Sequence, residues 1–236
     1  MRLRIILLAS LCLILATLTA SAKGGRKYHP GDVVDEKFLK THGHEAFFTV
    51  EPLPDSIFAL MRGRTYKHDC TIPRSSLRYI LCLHRDDGGR SVVGEMVVNK
   101  AIANDVVEIF RQLYEASYPI ERMRLIDYWD ADDERAMTAN NSSSFNFRFI
   151  SHTRKVSKHG MGMAIDINPL YNPYTKTLRN GKTIVEPAAG KPYLDRQREY
   201  KYKITRGDLC CRLFRKYGFR WGGDWKTMKD YQHFEK

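Results

Sequence analysis

The sequence predicts an α+β fold built as a single domain. Two hydrophobic runs, residues 77–83 and 91–98, flank Asp86-Asp87-Gly88-Gly89, the pattern of two strands joined by a turn. Ile102, Val106, Ile109, Phe110, Leu113 and Tyr114 recur in steps of three and four within residues 99–117, the mark of an amphipathic helix. Strand and helix patterns interleave from residue 55 onward without the regular alternation of a parallel sheet, so mainly antiparallel pairing is expected.

The remaining elements follow in order. Residues 1–22 have the layout of a secretory signal peptide: Arg2 and Arg4, an apolar run over 5–18, then Ala20-Ser21-Ala22. The run is short for a membrane span, and no later stretch is long and apolar enough to be one, so an exported protein is expected, in a periplasm or outside the cell. Residues 23–50 are polar and read as an irregular arm before a domain at 51–236. Residues 55–61 read as a short helix behind Pro52 and Pro54. Pro119 ends the long helix. Residues 123–126 read as a short strand and 127–134 as an acidic loop. Phe145, Phe147 and Phe149 alternate with Asn146, Arg148 and Ile150, which predicts a strand with a Phe face in the core. Residues 163–168 read as a strand. Residues 169–195 hold four Pro among polar residues and read as a long surface loop, and 208–217 read as a helix closed by Gly218.

Composition narrows the classes. Hydrophobic residues at 43% supply a sizeable core and exclude a wholly disordered chain. No repeat of 20–50 residues is present, which excludes a solenoid. The formal charge is +12, falling to +10 once Arg2 and Arg4 leave with the signal peptide, so the surface favours anionic partners. Export would permit disulfides, and Cys70, Cys82, Cys210 and Cys211 allow three pairings. Buried free thiols fit the same four residues equally well.

Two segments carry chemistry. In Ser157-Lys158-His159-Gly160-Met161-Gly162, the glycines bend the chain after His159, and the strand that follows places Ala164, Asp166 and Asn168 on one face. Asp166 is thus a carboxylate on an otherwise apolar strand, and a buried carboxylate needs a partner such as a metal. The second segment is Asp230-Tyr231-Gln232-His233. On one helical or 3₁₀ turn, residues three apart face the same side. Two His and one Asp, leaving a position open, form the donor set of a catalytic zinc site, with amide hydrolysis as the reaction class. The other histidines, including His29, His68, His84 and His152, have no matching context, and His42 and His44 read as solvated.

Ser157-x-His159-x-x-Gly162-x-Ala164-x-Asp166, with a distal Asp230-x-x-His233-Phe234-Glu235, resembles the D-alanyl-D-alanine carboxypeptidase family of zinc peptidases, which includes D-Ala-D-Ala dipeptidases and L-alanyl-D-glutamate endopeptidases. The resemblance covers roughly residues 145–236. It implies a small α+β domain shared with Hedgehog signalling domains, one zinc ion on His159, Asp166 and His233, and Asp230 as catalytic acid/base. It also implies that Ser157 lies near the substrate and that Arg148 binds an oxyanion or a substrate carboxylate. A surface role for Arg148 fits as well. Trp225 is a candidate for the substrate groove or for ordinary core. The implied partner is the peptidoglycan stem peptide, with no nucleic acid, because no basic-aromatic run of single-strand-binding type is visible. A non-catalytic, zinc-dependent binding module of Hedgehog-like fold is the alternative; it would have no need of the acid at position 230.

Overall fold

Asp35 starts the first element. Its carboxylate accepts from Lys37 N and Phe38 N and caps helix α1 (Glu36–His42), which Gly43 ends at a φ of 76°. The computed structural model describes residues 28–150 and 153–236; the expected signal peptide lies outside them, as does His152. Within the described part, the arm expected to be irregular over 23–50 is therefore structured. Val34 and Leu39 are buried against Leu83, Val93 and Tyr114, and strand β1 (Thr49–Pro52) begins inside the same stretch. The segment is polar overall, but Val34, Phe38, Leu39, Phe47 and Phe48 dock on the body of the domain.

That body follows the sequence closely. Helix α2 (Asp55–Met61) forms behind Pro54 and buries Met61. Strands β2 (Leu77–Arg85) and β3 (Ser91–Asn99) pair antiparallel from Leu77↔Asn99 to Arg85↔Ser91, and β1 adds to the β2 edge to give the order β1-β2-β3. Helix α3 (Ala103–Glu115) buries Ala103, Val106, Ile109, Phe110, Leu113 and Tyr114. Its stripe meets Ile80, Cys82, Met96 and Val98 of the sheet, where each large buried side chain contributes roughly 2–5 kcal/mol on truncation scales.

Beyond α3 the elements shorten. Strand β4 (Arg122–Met123) pairs parallel with β5 (Asn141–Ser142), and helix α4 (Asp133–Thr138) lies between them. The expected acidic loop thus holds the start of a helix: Asp132 accepts from Arg135 N, and the next acids lie where the helix dipole favours them. Phe145 and Phe147 are buried as expected, but Phe149 is 38% exposed. The Phe segment is extended without a strand ladder, because its amides go elsewhere: Phe145 N donates to Val97 O and Phe147 N to Thr65 O.

Strand β6 (Ala164–Asp166) is followed by a hairpin, β7 (Tyr174–Thr177) and β8 (Thr183–Glu186), where a long loop was expected. The turn signal Asn180-Gly181 sits between them, with Gly181 at a φ of 81°. Helix α5 (Leu209–Lys216) is capped by Asp208. Strands β9 (Arg220–Trp221), β10 (Lys229–Asp230) and β11 (His233–Glu235) complete two further antiparallel sheets, ordered β6-β11-β9 and β10-β7-β8. The chain is therefore α+β and mainly antiparallel. The helical turn expected for Asp230 and His233 is absent: the two residues lie on separate short strands in different sheets. Cys70, Cys82, Cys210 and Cys211 are free thiols. Among the described residues no helix is long and apolar enough to cross a membrane.

Candidate active site

His159 is placed by the turn that its glycines permit. Ser157 Oγ accepts from Gly160 N at 2.9 Å, and Gly162 adopts a φ of 67°. A Cβ on Gly162 would lie 2.8 Å from Asn99 N, so only glycine lets this turn press on the end of β3. The extended segment 144–148 runs beside the turn: Asn146 N donates to His159 O, and Ser157 N donates to Arg148 O. His159 Nδ1 donates to Ser144 O at 2.8 Å, which fixes the tautomer and leaves the Nε2 lone pair free to ligate.

Asp166 and His233 come from the pairing of β6 with β11, where they stand directly opposite one another. Asp166 is further bridged to Ser143 on its other edge. Three donor atoms then converge. His159 Nε2 is 3.1 Å from His233 Nδ1 and 3.2 Å from Asp166 Oδ2, and His233 Nδ1 is 3.1 Å from Asp166 Oδ1. Ligands of a four-coordinate zinc at about 2.0–2.1 Å lie roughly 3.3 Å apart, so both the donor types and their spacing fit such an ion. Among the described residues this is the one such group of three. The rear of His233 is also held: Nε2 faces Glu235 Oε2 at 3.4 Å, and Glu235 Oε1 accepts from Arg220 at 2.6 Å. A carboxylate behind a ligating imidazole orients the ring and raises its basicity.

The electrostatics favour positive charge at this point. Burial alone would raise Asp166, but the charge and hydrogen bonds of His159 and His233 hold it far below the usual carboxylate range. Burial alone would lower His233, but Asp166 and Glu235 push it well up. Asp230 has the opposite character. Burial raises it to about 7, against the pull of His233, and its Oδ1 is buried with no hydrogen-bond partner. A carboxyl titrating near neutrality beside a candidate metal site is suited to accept and return a proton.

These groups line one cavity of about 270 Å³, together with Arg148, Asp133, Ser143, Tyr174, Glu186 and Gln232. Arg148 Nη1 stands 2.9 Å from Asp133 Oδ2, an ion pair without hydrogen-bond alignment. Trp225 is half-buried with its ring 5.3 Å from that of His233. Ser157 does not line the cavity; its hydroxyl is engaged in the turn. Sequence reasoning missed Asp133, Tyr174, Glu186 and Gln232 as cavity residues. It also gave Glu235 no role, although a residue two after His233 on a strand shares its face.

An α+β domain with a His–Asp–His donor set and a buried acid beside it has the layout of a metal-dependent hydrolase. Residues 151–236 match the family model described as D-alanyl-D-alanine carboxypeptidase, which supports the peptidase family that the motif resembles. No curated protein and no solved structure gives a significant match.

Proposed function

We propose that this protein is an exported zinc metallopeptidase that hydrolyses peptide bonds in peptidoglycan stem peptides, as a D-Ala-D-Ala carboxypeptidase or an L-Ala-D-Glu-type endopeptidase. One observation carries the reading: three metal-type donors converge at 3.1–3.2 Å at a cavity that also holds the unpartnered Oδ1 of Asp230. The family match over residues 151–236 supports it. So does the basic balance of the chain, which draws it toward an anionic polymer.

His159, Asp166 and His233 would hold the ion, which when bound supplies Lewis acidity to the scissile carbonyl and acidifies water. Asp230 accepts a proton from the attacking water through Oδ1 and returns it to the nitrogen of the leaving amine, so one water is consumed and a carboxylic acid and an amine are released. Arg148 is placed to donate toward the carbonyl oxygen or a substrate carboxylate, with Asp133 steadying its guanidinium. Trp225 and Ser144 O keep the two imidazoles in place.

The test is mass spectrometry of defined stem peptides incubated with mature protein, with and without a chelator, beside Asp230→Ala. Chelator-sensitive cleavage that is lost in the variant supports the proposal, and the product masses name the bond. Folded, zinc-loaded protein that cuts none of the D-Ala-D-Ala, L-Ala-D-Glu and cross-linked substrates would replace it with the non-catalytic binding module.

A further inference from the structure

Asp230 Oδ1 is buried and accepts no hydrogen bond, so its position is set through the backbone that carries it. That backbone is the end of β10, joined to β11 by Tyr231 and Gln232 alone. Three contacts hold the bend from the main chain. Trp221 Nε1 donates to Tyr231 O at 2.9 Å, and Ile167 N donates to Gln232 O at 3.0 Å. Gly222 lets the two segments touch, since a Cβ there would lie 2.5 Å from Asp230 O.

The fourth contact is on a side chain. The guanidinium of Arg196 lies 4.3 Å from the centre of the Tyr231 ring. In its plane it donates to Tyr171 O, Asn172 Oδ1, Ile204 O and Tyr200 OH, all neutral acceptors. Among the described residues no carboxylate forms an ion pair with it. A half-buried cation is ordinarily paired with an acid. Here the plane serves the loop and the face serves Tyr231, a division that a planar guanidinium allows and an ammonium does not. The loop itself is anchored far from the cavity: Lys201 Nζ and Tyr202 OH both donate to Asp87 Oδ1, at 2.6 and 2.8 Å, in the turn between β2 and β3.

We propose that Arg196 is a positioning residue, which by stacking on Tyr231 fixes the bend that sets Asp230 against His159, Asp166 and His233. The inference rests on the peptidase reading for what Asp230 does, not for how it is held.

Arg196→Met and Tyr231→Leu, singly and together, test it in zinc-loaded mature protein. Steady-state kinetics on defined stem peptides, metal analysis and amide hydrogen exchange are read side by side. Each single variant is expected to lower kcat about tenfold or more, with KM and zinc content within about twofold of wild type, because the acid is displaced and not removed. The double variant is expected to be no slower than the slower single one, since both break the same contact. Exchange should quicken over residues 229–233 and at the Ile167 amide, and stay unchanged in β2 and β3. Tyr231→Leu leaves the four hydrogen bonds of Arg196 in place, so it decides the matter if Arg196→Met does not fold. An unchanged kcat in the folded fraction, kcat losses that multiply in the double variant, or a loss that follows zinc content would overturn the proposal. Wild-type protein that cuts none of the peptides removes the peptidase reading, and exchange then decides alone: quickening confined to the bend keeps the positioning role, and unaltered exchange there ends it.

Discussion

The β1-β2-β3 sheet with α3 and the half that bears the site are built by different means. Strands β2 and β3 run nine residues each and bury an apolar stripe of α3. Strands β6, β9, β10 and β11 are two or three residues long and cannot hold themselves by their ladders. Side chains bonded to backbone replace the ladder there. Asn168 Oδ1 accepts from Glu121 N, its Nδ2 donates to Pro119 O, and Ser144 Oγ donates to Ala164 O. Asn172 ties Asn168 O, Tyr202 O and Ile204 N in the same way. Burial stabilises both halves, since Ile165, Ile167, Phe214, Trp221 and Phe234 share one core with α3. Directional bonds give the second half its geometry, which a metal site needs more.

The comparison breaks most sharply at Asp230. Asp230→Asn is expected to lower kcat about 10²–10⁴-fold with zinc content and thermal stability retained, as read by steady-state kinetics beside metal analysis. A variant that also loses its metal would mean that Asp230 is a ligand or a structural acid.

Phe110→Ala, in the other half, should do the opposite. A fully buried Phe truncated to Ala costs roughly 3–5 kcal/mol in denaturant unfolding, while the kcat of the folded fraction stays near wild type. An equal fall in kcat would mean that the two halves are coupled more tightly than their construction implies.

A pH titration sharpens the same contrast. His84 is buried in β2, where its Nδ1 donates to Ile120 O, and burial lowers its pKa to about 4 from 6.5. The unfolded chain takes up a proton below 6.5 and the folded protein does not. The contribution of neutral His84 is thus whole above pH 6.5 and is lost as pH falls through 4, about 3 kcal/mol in total. Urea unfolding of wild type against His84→Gln over this window should give a shallower slope in the variant; parallel slopes would remove His84 as the cause.

The smallest effect is expected at Asn168. Asn168→Ala leaves Glu121 N and Pro119 O without their partner, a loss of roughly 1–3 kcal/mol, and it should weaken zinc affinity more than it lowers the melting temperature. A pure stability loss with zinc affinity unchanged would show that β6 is held in register by other means.

Legibility in the sequence follows the same division. The hairpin and α3 were readable because burial on one face writes a period of two or of 3.6 into the residues. The candidate donors were readable for another reason: His159, Asp166 and His233 are residue types with special chemistry, and His159 sits beside glycines that its turn requires. The β7–β8 hairpin was not, because Tyr174, Thr175, Lys176 and Thr177 pair with a strand rather than a core, and none of them is fully buried. The Phe segment misled in part: Phe145 and Phe147 obey the alternation, but the partners of their amides are scattered over the fold, so no strand forms. The strand position of His233 was hidden by Asp230 three residues before it, a spacing that a helical turn and a bend between two sheets satisfy alike.

The opposition of His233 and Asp166 across β6 and β11 has a consequence in time. The donors are 74 residues apart in the chain at their widest, between His159 and His233. A chain whose β11 has not yet joined β6 brings together only two of the three donors and has Asp230 out of place. The donor set is therefore complete only once the C-terminal strand has paired with β6, and an unfolded chain lacks it.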